Sequence, residues 1–198
     1  MAQQADDAPP PAPVPLPTED DEAAAREAHP EAAAAQLQAF EAVAAAERAG
    51  DQAAFSRARF LLLRHAPYGR QRVADLSRLL SRAEEQDPNG QSARVLRALH
   101  DMVLSRVQQK EEFLVRRAAT RAELEERRRE LHVFLLATAE PKGVEAAFVL
   151  RHKARALRQI GEFIVGPLGS AQREEAARFA EVSHLFVAPP DSFWEQVG

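Results

Sequence analysis

Basic residues cluster around two of the histidines, and these side chains have the types and spacing to bind an anion. Arg64 precedes His65, and His152 is followed at three and six residues by Arg155 and Arg158. Guanidinium groups hold phosphate oxygens through paired hydrogen bonds, and residues three or four apart share one face of a helix. A helix over the second cluster would turn a basic face toward an anionic chain. We therefore take His152, Arg155 and Arg158 as candidate anion-binding residues.

Both clusters resemble segments of known families. Residues 60–67, Phe-Leu-Leu-Leu-Arg-His-Ala-Pro, resemble the Arg-His signature of the histidine phosphatase superfamily, and His184 is similar to that family's second histidine. The resemblance implies a phosphatase in which an apolar strand delivers His65 as the nucleophile and Arg64 grips the phosphate. Residues 151–158 are similar to the basic helices of the histidine-containing α-helical (CHAD) domains, which implies polyphosphate binding.

Several other kinds of site lack the residues that they need. The chain has no cysteine, which excludes disulfides, thiolate catalysis and thiolate zinc sites. Its six histidines never stand three or four residues apart, and no glycine-rich loop closes in Gly-Lys-Ser or Gly-Lys-Thr. Acidic residues flank and neutralise Arg127 to Arg129. We predict no metal site, no cofactor and no binding to nucleic acid.

The elements that must position these residues are predicted to be helices. Leucine, alanine, arginine and glutamate dominate, whereas the chain has only 8 glycines, 1 tyrosine and 1 tryptophan. Helix formers therefore outweigh the residues that strands prefer. We predict an all-α fold: an antiparallel helical bundle with a long, charged, coiled-coil-like helical hairpin. The apolar runs are far shorter than the roughly 18 residues of a membrane span, so no span is expected.

Composition divides the chain into three predicted parts. Residues 1–29 are expected to form a disordered, Pro/Ala-rich acidic arm, because six of the ten residues from Ala8 to Pro17 are proline and an acidic run follows. Residues 30–186 are the predicted helical domain. Residues 187–198 are the predicted Pro-kinked aromatic tail.

Helix ends within the domain are predicted from Pro, Gly and capping residues. Pro30 suits a first helical turn, Gly50 a helix end, and Asp51 the cap of the next helix. That helix is expected to stop at Pro67, and a third helix to span residues 70–86.

The second half of the domain is predicted to be a long hairpin. No proline or glycine occurs between Gln91 and Glu140, so one helix is expected over about 91–140, with the hairpin at 141–143. A returning helix is expected over residues 144–165, ended by residues 166–169, and a last helix is expected to be capped by Ser170.

The middle of the long helix is predicted to be solvated and held by ion pairs. Glu112–Arg116, Glu123–Arg127 and Glu125–Arg129 are acid-before-base pairs four apart. This charged stretch is predicted to form a projecting helical arm or one helix of a coiled coil.

These features favour a non-enzymatic helical adaptor or structural subunit that acts through a protein partner or a larger assembly. A homo-oligomer, an anion-binding domain and a phosphatase using Arg64 and His65 remain as alternatives. Since no targeting segment is evident, we expect a cytoplasmic protein, with a mature organellar matrix protein left open. The candidate protein-binding residues are Phe113, Leu114 and Leu124 on the long helix and Phe193 and Trp194 in the tail.

Overall fold

The computed structural model of the chain describes residues 13–137 and 145–187. Within these ranges the chain is mainly helical and has no strand, so the predicted all-α fold is confirmed. None of the helices in these ranges is long and apolar enough to cross a membrane. In chain order the helices are α1 (Glu19–Ala28), α2 (Pro30–Ala49), α3 (Gln52–His65), α4 (Arg70–Gln86), α5 (Gln91–Ala137), α6 (Ala146–Phe163), a π-helical turn (Ile164–Leu168), α7 (Gly169–Val182) and α8 (His184–Val187).

Helices α2 and α3 form a hairpin with small residues inside. The predicted caps are confirmed: Gly50 ends α2 at a φ of 65°, and the Asp51 side chain accepts a hydrogen bond of 2.9 Å from the Ala54 amide. Three alanines seven residues apart, Ala32, Ala39 and Ala46, are buried along α2. Because alanine lets helices approach closely, the larger apolar side chains of this hairpin are left outside.

Helices α4 and α5 form a second hairpin that carries the main core. Helix α4 has the predicted bounds, and α5 runs for 47 residues, or roughly 70 Å. Leu99, Val103 and Val107 of α5 are buried against Leu76 of α4 in the same cluster. The predicted long helix is therefore confirmed over Gln91–Ala137, and the hairpin at 141–143 lies outside the described residues.

Disorder was predicted for residues 1–29, and this prediction is wrong for Glu19–Ala28, which form helix α1. Thr18 and Asp21 form a capping box: the Thr18 amide donates to Asp21 Oδ2 at 2.8 Å, and the Asp21 amide donates to Thr18 Oγ1 at 3.3 Å. Helix α1 then packs on α8 and α2, and Ala25 is fully buried. An acidic run is therefore ordered here because it sits in the first turn of a capped, packed helix, where negative charge is favoured.

The predicted break at residues 166–169 is also wrong, because the chain stays helical from α6 into α7. Pro167 lies within the π-helical turn. Helix α7 begins at Gly169, so Ser170 lies inside the helix and is not its cap. Proline lacks an amide hydrogen and its ring clashes with the carbonyl four residues earlier in an α-helix. A wider π turn relieves that clash, so a helix can pass through the proline.

The predicted aromatic tail began one residue too early. Val187 ends α8 and is buried with Leu185 and Phe186 in the core. Residues 188–198 lie outside the described residues.

Ion pairs hold the charged stretch of α5, but at a different spacing from the predicted one. The pairs that form are Glu125–Arg128 at 3.6 Å, Glu126–Arg129 at 3.0 Å and Arg127–Glu130 at 2.7 Å. Each joins residues three apart, with both side chains exposed, so each contributes only a few tenths of a kcal/mol. These contacts use the charge of the Arg127–Arg129 run within the helix itself.

Candidate protein-docking surfaces

Two of the predicted protein-binding residues, Phe113 and Leu114, lie against or in the core. Leu114 is 3% exposed, and the Phe113 ring packs against the rings of Phe179 and Phe186 at centroid distances of 6.2 and 6.3 Å. Leu124 lies half-buried further along α5, and Phe193 and Trp194 lie outside the described residues. Leu114 is therefore buried in the core, and Phe113 is partly buried against it.

Charged residues continue the buried stripe of α5. After Val107 the inward positions are Lys110, Leu114 and Arg117, spaced by three and four. Lys110 places Nζ 4.5 Å from the centre of the Phe186 ring and donates to the Tyr68 carbonyl at 3.3 Å. Burial lowers the pKa of Lys110, outweighing nearby acids that raise it.

Arg117 forms a buried ion pair with Asp21. The guanidinium donates to both carboxylate oxygens at 2.5 and 2.7 Å, and both side chains are at most a tenth exposed. Burial by itself would raise the pKa of Asp21, but hydrogen bonds from Arg117 and Thr18 together outweigh it and lower the pKa to about 2. Glu175 of α7 lies 4.0 Å from Arg117 and also pairs with Arg121. This network joins α1, α5 and α7.

A groove of about 800 Å³ opens between α3 and α4, and we call it the α3–α4 groove. Its apolar wall is formed by aromatic and aliphatic side chains that remain partly or largely exposed. Phe60 is 56% exposed, and Phe40 and Leu79 are also exposed. The main lining residues are Phe40, Arg59, Phe60, Leu63, Leu79 and Arg82. Alanines fill the inside of the α2–α3 hairpin, and the larger side chains of Phe40 and Phe60 therefore lie on its surface.

The charge of the α3–α4 groove is positive. Four arginines and one aspartate line it, a net charge of +3. Arg78 pairs with the aspartate, Asp75, at 2.7 Å, and Arg72 is turned inward to donate to the Ala66 carbonyl at 2.9 Å. Arg59 and Arg82 are exposed. An apolar wall with an arginine rim has the composition of a protein interface.

Arg64 and His65 lie at the C-terminal end of α3, close to this groove. His65 is half-buried, and its backbone carbonyl accepts a hydrogen bond of 3.2 Å from Gln36. Burial, with Arg64 and Arg72 nearby, lowers the pKa of His65, which favours the neutral imidazole. The apolar strand implied by the phosphatase resemblance is replaced here by helix α3.

Helix α6 and the first residue of the π-helical turn that follows it carry an apolar stripe that the described chain leaves largely exposed. Leu150, Leu157 and Ile164 stand seven residues apart and are 66%, 60% and 52% exposed. Ala147, Ala154 and Gly161 alternate with them, also exposed, at spacings of three and four. We call these six residues the α6 seam. The inward face of α6 is a different one, formed around Ala156 and Phe163, which are buried.

The candidate anion-binding residues lie on a third face of α6. Arg155 and Arg158 are exposed together with Arg151, and Arg158 lies 3.9 Å from Glu162. His152 is half-buried, and its ring packs against the ring of Phe148 at a tilt of 46° with centres 4.1 Å apart. The structure thus places the three arginines beside the seam, whereas His152 packs against Phe148. The sequence could have revealed the seam, because its alternation of three and four extends over 18 residues.

A smaller groove of about 480 Å³ lies between α5 and α7, above Phe113 and Arg117. Acidic and basic side chains alternate along it, among them Glu112, Arg116, Glu174 and Arg178. This balance of charge selects neither an anion nor a cation.

No cluster of potential metal ligands occurs within residues 13–137 and 145–187. Comparison with protein-family models, curated proteins and solved structures found no match.

Proposed function

We propose that the chain is a non-enzymatic helical adaptor that holds a partner protein in the α3–α4 groove. The single observation that carries the proposal is the exposure of Phe60 and Phe40 in a groove with a net charge of +3. Large exposed apolar side chains rimmed by charge are typical of surfaces that bind another protein.

The expected occupant is an apolar segment with acidic flanks, of helical form. A helix laid in a groove presents apolar anchors at spacings of three and four to the wall. Acidic residues beside those anchors would meet Arg59 and Arg82, which supports fast association and selects against basic segments. Phe60 is the expected anchor contact, since aromatic side chains at the centre of an interface contribute most to affinity.

Site-specific photocrosslinking in cells tests this proposal. Benzoylphenylalanine is placed at Phe60 and, as a matched control, at Leu37, which is 59% exposed on α2 and does not line the groove. We expect a discrete protein adduct from position 60 and none from position 37. The double variant Arg59→Glu/Arg82→Glu should abolish the adduct without changing the melting temperature.

Two outcomes would contradict the adaptor proposal. Equal adducts from both positions would indicate nonspecific contact. Hydrolysis of p-nitrophenyl phosphate by the purified chain, lost on His65→Ala or on His152→Ala, would indicate an enzyme instead.

A further inference from the structure

We infer that α6 supplies one strand of an intermolecular coiled coil whose other strand is an acidic amphipathic helix of a partner protein. This contact is separate from the α3–α4 groove and goes beyond the proposed function, since it gives the chain a second docking surface. The inference is carried by the register, the exposure and the flanking charge of the α6 seam.

The register of the seam is that of a coiled coil. Ala147, Leu150, Ala154, Leu157, Gly161 and Ile164 follow one another at three, four, three, four and three residues. This is the spacing of the a and d positions of a heptad repeat, and it is maintained over about 26 Å of helix. Small residues fill every a position and large aliphatic ones every d position. A partner helix can therefore approach closely at the a positions and pack its own large side chains there.

Gly161 points to a close approach from outside the chain. A methyl group added at Gly161 would meet nothing within 4 Å, and its backbone is helical with a negative φ. A glycine inside a helix costs about 1 kcal/mol relative to alanine. Neither the packing nor the backbone conformation of the described chain requires a glycine at position 161. A second helix packed closely against the seam would require one.

The charge beside the seam selects an acidic partner over a second copy of this chain. Arg151 and Arg158 flank the seam on one side, and Lys153 flanks it on the other. Two copies paired antiparallel would set Arg151 of each beside Arg158 of the other, and two copies paired parallel would set Lys153 beside Arg158. Like charges at these flanking positions destabilise a coiled coil, whereas glutamates opposite them stabilise it.

The test uses the full chain and two synthetic fluorescent peptides. Each peptide is a 22-residue helix with leucine and alanine on its seam face, carrying glutamate at the flanking positions in one and lysine in the other. Fluorescence anisotropy should give a dissociation constant at least about tenfold lower for the glutamate peptide. High salt should reduce that ratio, because exposed charges are screened.

Two seam variants separate docking from folding. Leu157→Glu should weaken binding of the glutamate peptide at least about tenfold, whereas the control Leu37→Glu, on a side chain of nearly the same exposure, should not change it. Gly161→Leu should keep or raise the melting temperature, since leucine is the better helix former, and yet lose the peptide because the added side chain fills the approach. Phe60→Glu should leave peptide binding intact, because Phe60 lines the α3–α4 groove and not the seam. The two surfaces are therefore tested separately, and failure of the peptide to bind the seam would leave the groove proposal standing.

Each opposing result identifies a different error. Equal affinity for the two peptides, or tighter binding by Gly161→Leu, would show that no specific coiled coil forms. A dimer in sedimentation equilibrium that Leu157→Glu dissociates would identify a second copy as the occupant. Co-sedimentation with phosphatidylglycerol vesicles, lost in Leu157→Glu, would identify a membrane surface. Displacement of the peptide by polyphosphate would assign the face to anion binding.

Discussion

Replacing Asp21 by asparagine tests whether α1 is a packed part of the core. The change keeps the shape of the side chain but leaves the Arg117 guanidinium, which is 7% exposed, without its charged partner. Removing one member of a buried ion pair costs about 3–5 kcal/mol. Glu175 at 4.0 Å and the Phe113 ring at 5.2 Å can compensate in part. We therefore expect a loss of about 3 kcal/mol in the free energy of unfolding at pH 7, measured by urea denaturation.

The pH dependence gives this prediction a second, independent readout. The pKa of Asp21 is about 2 in the folded chain and 3.8 in its ordinary range, so the unfolded state binds the proton more readily. Its stabilising contribution, at most about 2 kcal/mol, is fully present above pH 5 and is lost as the pH falls through 4 toward 2. The difference between the wild type and Asp21→Asn should shrink over that range.

Glu22→Gln is the matched control for Asp21→Asn. Glu22 forms an ion pair with exposed Arg26 at 2.9 Å and acts on Lys110 only through its charge, raising the pKa of that lysine, so its loss should cost less than about 1 kcal/mol. If Asp21→Asn costs no more than this control, α1 is not anchored by the ion pair and the packing described for it is wrong.

Two further predictions concern the ends of elements and are checked by thermal and urea denaturation. Leu185→Ala should cost about 3 kcal/mol, because Leu185 is fully buried in α8, whereas Val165→Ala, on a side chain 77% exposed, should cost less than about 0.5 kcal/mol. A small effect of Leu185→Ala would place α8 outside the core. Asp51→Ala should cost about 1 kcal/mol by removing the cap of α3, and Asp51→Ser should retain most of that stability. Equal losses in both Asp51 variants would contradict the capping role.

Local sequence signals predicted the helices of the fold well. Gly50, Asp51 and the stop before Pro67 set the bounds of α2 and α3 because each acts on its own few residues. The helix end predicted at Pro167 was wrong, because a proline ends a helix only where the turn around it cannot widen. The proline itself does not show whether the turn can widen.

The core and the candidate surfaces were less predictable because they depend on which helices meet. Lys110 and Arg117 belong to the stretch of α5 that was predicted to be solvated. In the fold, the ring of Phe186 packs against Lys110 and the carboxylate of Asp21 pairs with Arg117, and both partners are distant in the sequence. Phe113 and Leu114 were therefore predicted on a solvated stretch, whereas Leu114 is buried and Phe113 is partly buried against the core. The α3–α4 groove requires three helices in place, whereas the α6 seam follows one continuous stretch of helical chain, from α6 into the π-helical turn, so the spacing of its residues in the sequence indicates it.

The pairing of the first helix with the last one, described above for α1 and α8, has a consequence for how the chain matures. His29, at the end of α1, bonds through Nε2 to Ser183 Oγ at 2.9 Å, across 154 residues of sequence. At about 5–20 residues per second, synthesis of that interval takes about 8 to 30 s. Throughout that time α1 has been made but its surface for α8 is uncovered, and closing so long an interval also carries a loop-closure cost. The contacts between the two ends thus form only after nearly all of the described chain has been synthesised.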